Sequence, residues 1–374
     1  MTKSINEMKR YFLTFVALAV IFLPLNAQEQ KIKYVDATKL TILGKAFYDT
    51  PNPYHRVDTE KYKGFTDNEK YILHCSPGMS IVFRTDSKNI QTATHWGYIY
   101  AGSSTARTSS KGYDLYIKDK DGKWVFAACN STTKYKKGQE EPDIIKLVQN
   151  MDGSMHECLI HFASYSEVLS LKIGVDEDAT IEAVKSPFRH CILFHGSSFT
   201  HGVSTSRPGM SYPLQFQRRT GLEIIGLGMS GRSRLQSYMI PVLADIEADA
   251  YVFDTFSNPD SATICRRLMP FIDGLIEAHP GKPLIFQRTI YREHRNFNVE
   301  KDALEKAKAE AVEKMFAQIL GNPKYKVVYL ITPNASFDNE TSVDGTHPDN
   351  YGYYLWEQSI EQPILDILGK YGIK

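Results

Sequence analysis

Ser198 lies in the stretch Gly196-Ser197-Ser198-Phe199-Thr200, where a short apolar run, Cys191-Ile192-Leu193-Phe194, gives out. A serine hydroxyl is a poor nucleophile at neutral pH unless an imidazole stands within hydrogen-bond reach and a carboxylate fixes that imidazole's tautomer. Asp344-Gly345-Thr346-His347 supplies both groups three residues apart. Two further blocks fall between them. Gly228-Met229-Ser230-Gly231 follows the strand-like Glu223–Leu227, and a glycine there lets a backbone N–H approach a reacting carbonyl oxygen closely. Ser257-Asn258-Pro259-Asp260 follows the buried-strand run Ala250–Phe253, and the Asn258 amide can donate a second hydrogen bond to an oxyanion. Singly, each block has an ordinary reading: Ser198 as a helix cap, Asn258 before proline as a turn initiator, Asp344 and His347 as a polar loop. Their order along the chain is that of an acyl-transfer site.

These four blocks together resemble the SGNH/GDSL hydrolase superfamily over roughly the C-terminal half of the chain. The resemblance implies Ser198 as nucleophile, Asp344 and His347 as its triad partners, and an oxyanion hole made by the Ser198 backbone N–H, Gly231 and Asn258. Two positions depart from the family's pattern. Ser197 stands where Gly-Asp-Ser would place Asp, and Pro259 follows Asn258 where Asp is expected. The α/β-hydrolase elbow fits less well, because Thr200 occupies the fifth position of Gly-x-Ser-x-Gly and its histidine usually lies well beyond the acid.

The elements that must position these residues are those of an α/β fold. From about Ser186-Pro187 onward, buried strand-like runs alternate with helical stretches at 211–220, 235–247, 262–278, 300–320 and 353–368. Leu284–Phe286 and Val327–Ile331 add strands to those before Ser198, Gly231 and Asn258. Five strands with intervening helices predict a three-layer, flavodoxin-type domain over 187–374, built on a parallel sheet with right-handed crossovers. In such sheets ligands bind beyond the carboxyl ends of the strands, which is where all four blocks fall.

Residues 28–186 read as all-β. Leu169–Val175 alternates apolar and polar residues, while Ile81–Thr85 and Trp124–Ala127 are further strand-like runs. Asp121-Gly122 and Asp152-Gly153 suit tight hairpins. Many short strands in this span predict a jelly-roll-like sandwich. Within it, Gly112-Tyr113-Asp114-Leu115-Tyr116 is similar to the Gly-x-Asp-Leu-Tyr signature of two-domain bacterial SGNH-type hydrolases, which implies a β-sandwich ahead of the hydrolase and carbohydrate esterase activity. Trp96, Tyr98 and Tyr100 alternate as strand residues do, so they are expected on one face, as core or as a sugar-stacking surface.

Lys9-Arg10, an apolar run over 11–25 and Leu25-Asn26-Ala27 read as a secretory signal peptide, residues 1–27, which predicts a periplasmic or secreted protein with no stable membrane anchor after cleavage. A net charge of +1 over 374 residues, with basic and acidic residues interspersed, gives no reason to expect nucleic acid as a partner. The five cysteines are odd in number and widely spaced, and are expected mostly as free thiols. His156, Cys158 and His161 lie close together, but a strand splits them between faces, so no metal is expected there; the chemistry requires no cofactor. The expected function is a secreted serine esterase removing acetyl groups from polysaccharide or oligosaccharide. The alternatives are a lipase-like or lysophospholipase-like esterase, and a non-catalytic carbohydrate-binding protein with a decayed hydrolase domain.

Overall fold

The computed structural model describes residues 31–99, 102, 104–132, 138–336 and 338–374. The signal-peptide segment and Tyr100 lie outside these. Strands β1 (Ile32–Asp36) to β10 (Ile181–Ala183) form two antiparallel sheets packed face to face. One has the order β1-β9-β4-β7, with β4 at Ile90–Ile99, β7 at Asp143–Val148 and β9 at Ser166–Asp176. The other has the order β10-β3-β8-β5-β6, with β2 (Thr41–Leu43) also on β3 (Ser80–Thr85); β5 spans Gly112–Lys118, β6 Trp124–Ser131 and β8 His156–His161. Alternate residues turn inward, so Ile81, Phe83, Tyr113, Leu115, Ile160, Leu171 and Ile173 fill one core between the sheets.

The second layer system is a five-stranded parallel sheet: β11 (Arg189–Gly196), β12 (Leu222–Gly228), β13 (Ala250–Asp254), β14 (Leu284–Gln287) and β15 (Val328–Ile331), in the order β12-β11-β13-β14-β15. Its strands are mostly apolar because helices cover both faces. Val242, Ile264, Leu268, Phe271, Val312 and Phe316 pack on one side, from helices Met239–Ala244, Ser261–Ala278 and Val299–Ile319. Tyr212, Phe216, Tyr353, Trp356 and Ile360 pack on the other, from Tyr212–Thr220 and Asn350–Gly369.

The Gly-x-Asp-Leu-Tyr stretch shows why its residue types recur two by two. On β5, Tyr113 and Leu115 enter the sandwich core, while Asp114 and Tyr116 face the hydrolase layer. The Arg207 guanidinium donates to Asp114 Oδ2 at 2.7 Å and to the Tyr116 hydroxyl at 2.6 Å, and the Gly209 N–H reaches the same carboxylate at 2.8 Å. Arg218 lies 4.1 Å over the Tyr116 ring. A second clamp is the fully buried Arg56, which donates to the carbonyls of Cys75, Gly226 and Gly228 at 2.8, 3.1 and 2.9 Å. Next to it, Gly78 and Gly226 bring two backbones so close that a Cβ on Gly226 would sit 2.8 Å from the Gly78 Cα. Phe47, Val57, Tyr62 and Leu73, all early in the chain, complete one face of the hydrolase core.

Three local expectations are corrected. Helix 235–247 is confined to Met239–Ala244, since Leu235 adopts a left-handed φ of +54° that no helix continues. Asp152-Gly153 does not close a hairpin: β7 pairs with β4 and β8 with β3 and β5, so this turn carries the chain from one sheet to the other. The alternation of Trp96 and Tyr98 is broken by register shifts in β4. Trp96 is buried and donates to Asp143 at 2.9 Å, whereas Tyr98 is half-exposed at the domain junction. All five cysteines are free thiols, and no helix of the described residues is long and apolar enough to cross a membrane.

Candidate active site

The strand order decides what can meet. β11 runs between β12 and β13, so the turns after these three strands open on one edge of the sheet, at the point where the winding reverses direction. Ser197 ends β11's extended path, and its hydroxyl caps a single helical turn, Ser198–His201, by accepting from the Phe199 N–H at 3.2 Å. Ser198 therefore sits at the first position of that turn, 6% exposed, with its Oγ 3.0 Å from His347 Nε2.

His347 Nδ1 is 2.8 Å from Asp344 Oδ2, while Asp344 Oδ1 accepts the backbone N–H groups of Thr346 and His347 at 2.9 Å each. Burial works to raise the Asp344 carboxyl, but the bonds from the His347 side chain and backbone outweigh it and hold the group below its ordinary value, hence ionised. The Phe199 ring stands edge-on to the His347 imidazole at 5.6 Å and is backed by Trp356 at 5.3 Å, which restricts the imidazole's tilt. The loop is pinned from outside by the 293–295 turn. There the His294 N–H donates to the Gly345 carbonyl at 2.5 Å, and His294 Nδ1 lies 2.7 Å from Thr346 Oγ1.

The turn after β12 is tied to β11 by the Met229 N–H, which donates to the Gly196 carbonyl at 2.7 Å. Gly231 is exposed in this turn at φ +69°, a conformation that favours glycine. Asn258 Oδ1 accepts the Ser233 N–H at 3.2 Å, which fixes the side chain and leaves its NH2 group as the donor end. Behind it, Lys308 Nζ at 2.9 Å and Arg292 Nη2 at 3.4 Å hold the Ser257 carbonyl, and both cations pair with Glu305.

One residue escaped the sequence reading. Asp254, the last residue of β13 and 2% exposed, accepts the Ser197 N–H at 3.1 Å, the Ser197 hydroxyl at 2.6 Å, Thr200 Oγ1 at 3.1 Å and Ser257 Oγ at 3.2 Å. Burial pushes its carboxyl up to about 6 despite those bonds. The carboxylate missing at Ser197 is thus supplied from the neighbouring strand. The signal was present in the sequence, as an acid closing an otherwise apolar run, but only strand adjacency connects it to Ser198.

His156, Cys158 and His161 are divided between faces of β8, with Cys158 in the sandwich core and His161 Nδ1 2.6 Å from Ser80 Oγ. Among the described residues, the group with metal-ligand donor types is instead His55, His74 and Glu167, whose ligand atoms lie within 4.8 Å of one another. His55 Nε2 is 2.8 Å from Glu167 Oε1, and the two imidazoles stack at 3.9 Å. Burial pushes His74 down to about 4, so it is neutral in ordinary buffers. This cluster shares no hydrogen bond with Ser198 or His347.

Comparison with known proteins follows the same two-part division. The GDSL-like lipase/acylhydrolase family matches residues 189–365, and the N-terminus of SGNH-hydrolase-type esterases, the GxDLY domain, matches residues 32–181. No curated protein matches the chain. A crystal structure described as that of a GDSL-like lipase from Bacteroides ovatus is 35% identical, with a TM-score of 0.85, over 91% of this chain and 98% of that one. The salicylyl-acyltransferase SsfX3 of a tetracycline biosynthetic pathway shares the fold at 15% identity and a TM-score of 0.68, over 93% of this chain and all of that one. A family two carbohydrate esterase from Clostridium thermocellum, in complex with cellohexaose, shares it at 13% identity and a TM-score of 0.54, over 78% of this chain and 93% of that one. With both halves matched and a relative of this identity aligned nearly end to end, the chain belongs to the GDSL-like lipase/acylhydrolase family, of the kind that carries a GxDLY domain at its N-terminus.

Proposed function

We propose that this esterase is an exported enzyme that hydrolyses acyl esters, acetyl esters above all, on a saccharide by a two-step serine mechanism. The observation that carries the reading is the unbroken relay from Ser198 Oγ to His347 Nε2 and from His347 Nδ1 to Asp344. Ser198 Oγ attacks the ester carbonyl carbon while His347 Nε2 takes the hydroxyl proton, and Asp344 steadies the imidazolium that forms. The carbonyl oxygen gains the electron pair and is met by the Ser198 and Gly231 N–H groups and the Asn258 amide. The C–O bond then breaks, the alcohol leaves with the proton from His347, and water repeats the sequence to free the acid from Ser198.

The shared fold of a cellohexaose-bound carbohydrate esterase supports a saccharide as the alcohol portion, and so do tyrosines at the domain junction. Export rests on the basic and apolar pattern of residues 1–27. Ser198→Ala should abolish acetate release from O-acetylated glycans with an unchanged circular dichroism spectrum, and a fluorophosphonate should label the unaltered protein at Ser198. Turnover at the unaltered rate in Ser198→Ala would remove the nucleophile from the scheme. Turnover that rises steadily with acyl chain length would replace the acetyl-saccharide reading with a lipase-like one.

A further inference from the structure

The Gly231 turn also forms one wall of a cavity of about 350 Å3 between the two domains. That is within the range of small-molecule pockets, roughly 300–1,000 Å3. Tyr71, from helix Asp67–His74, and Tyr98, near the end of β4, line it with rings stacked at 4.8 Å and 21°. Tyr165 reaches across the junction, its hydroxyl donating to Ser230 Oγ at 3.0 Å. On the hydrolase side the lining includes Arg232 and Arg234.

Several other arginines of the molecule are placed differently. Arg207, Arg219, Arg288, Arg292 and Arg295 each pair with a carboxylate. Neither the Arg232 nor the Arg234 guanidinium makes a hydrogen bond or a close ion pair with any described residue, and the described lining of the cavity contains no Asp or Glu; the exposed Asp260 carboxylate, outside that lining, interacts with the Arg234 charge at longer range. Two cations with no carboxylate bonded to them, beside aromatic rings, form a site for a molecule that brings its own anion and a ring face. A guanidinium fork matches the planar, two-oxygen geometry of a carboxylate.

We infer that this cavity receives an acidic sugar, so that the enzyme's preferred substrates are acylated saccharides carrying a carboxylate of the uronic-acid type. The inference rests on the esterase reading and adds the substrate's charge. In this arrangement Arg232 and Arg234 hold the carboxylate and the sugar lies against the outside of the stacked Tyr71–Tyr98 pair. The ester group reaches the Ser198 side past Gly231, which belongs both to the cavity and to the proposed oxyanion hole.

The test compares kcat/KM for O-acetylated methyl glucuronoside, its C6 methyl ester and the corresponding acetylated methyl glucoside, with p-nitrophenyl acetate as a substrate that lacks a sugar. One charge-assisted contact is worth roughly a tenfold to hundredfold preference for the free acid over both neutral sugars. The preference should be expressed mainly in KM and should shrink as salt rises. The R232Q/R234Q double variant should bring the acid-to-neutral ratio close to one, and each single variant should lower it partway if the double variant folds poorly. An unaltered enzyme that treats the three sugars alike, or a ratio unchanged in the variants, overturns the inference. If p-nitrophenyl acetate is turned over and the sugars show no charge preference, only this inference falls; if neither it nor any sugar ester is hydrolysed, the esterase reading falls with it.

Discussion

Replacing Asp254 with asparagine isolates the energetic cost of holding the nucleophile turn with a buried carboxylate. Folding pushes this carboxyl from its ordinary 3.8 up to about 6 because burial disfavours its charge more than the Ser197, Thr200 and Ser257 bonds favour it. Between those two values the unfolded chain has released the proton and the folded chain retains it. Stability therefore falls as pH rises through that window, and levels off above the folded value. A separation of about two pH units corresponds to about 3 kcal/mol when fully developed. Roughly half of that is already lost by pH 5, which leaves about 1–2 kcal/mol to be lost between pH 5 and pH 8. Asp254→Asn keeps an oxygen acceptor for the Ser197 donors and has no proton to lose. Urea unfolding of both proteins at pH 5 and pH 8 should therefore show the asparagine variant gaining about 1–2 kcal/mol on the unaltered protein over that interval. A stability difference that does not move with pH, or that moves the other way, refutes the reasoning.

Asn258→Ala should lower kcat on an acetyl ester about 10²–10³-fold with little change in KM, because the amide meets charge that exists only in the transition state; near-normal turnover would take Asn258 out of the oxyanion hole. Arg207→Ala should cost about 3–5 kcal/mol by leaving the buried Asp114 carboxylate without its cation, and a melting temperature within a degree of the unaltered protein's would contradict this. Gly226→Ala should destabilise by about 1–3 kcal/mol, since its Cβ meets the Gly78 backbone and Pro77 carbonyl where neither can move aside; calorimetry showing no change would mean the two domains separate at that contact without cost.

Local pattern made much of this molecule readable. The largely apolar runs at 191–194, 223–227, 250–253, 284–286 and 327–331 each became a strand of the parallel sheet, because a strand buried on both faces must be apolar at nearly every position. Asp344 and His347 lie three residues apart, so the turn that joins them also sets their hydrogen bond. Where backbone conformation overrode composition, as at Leu235, the helix expected from its residues shortened.

The sequence by itself determined the two halves, the strands and the loops that hold Ser198, Gly231, Asn258, Asp344 and His347, since each depends on periodicity and residue type within a few positions. Tertiary structure alone decided that Asp254 serves Ser197, that Lys308 and Arg292 grip the loop of Asn258, that Asp114 and Tyr116 dock Arg207, and that Arg232 and Arg234 line one cavity with tyrosines and with no Asp or Glu among its described lining. Those relations join residues tens of positions apart or more. They follow from which strand lies beside which and from how the sandwich seats on the sheet, neither of which any local window encodes.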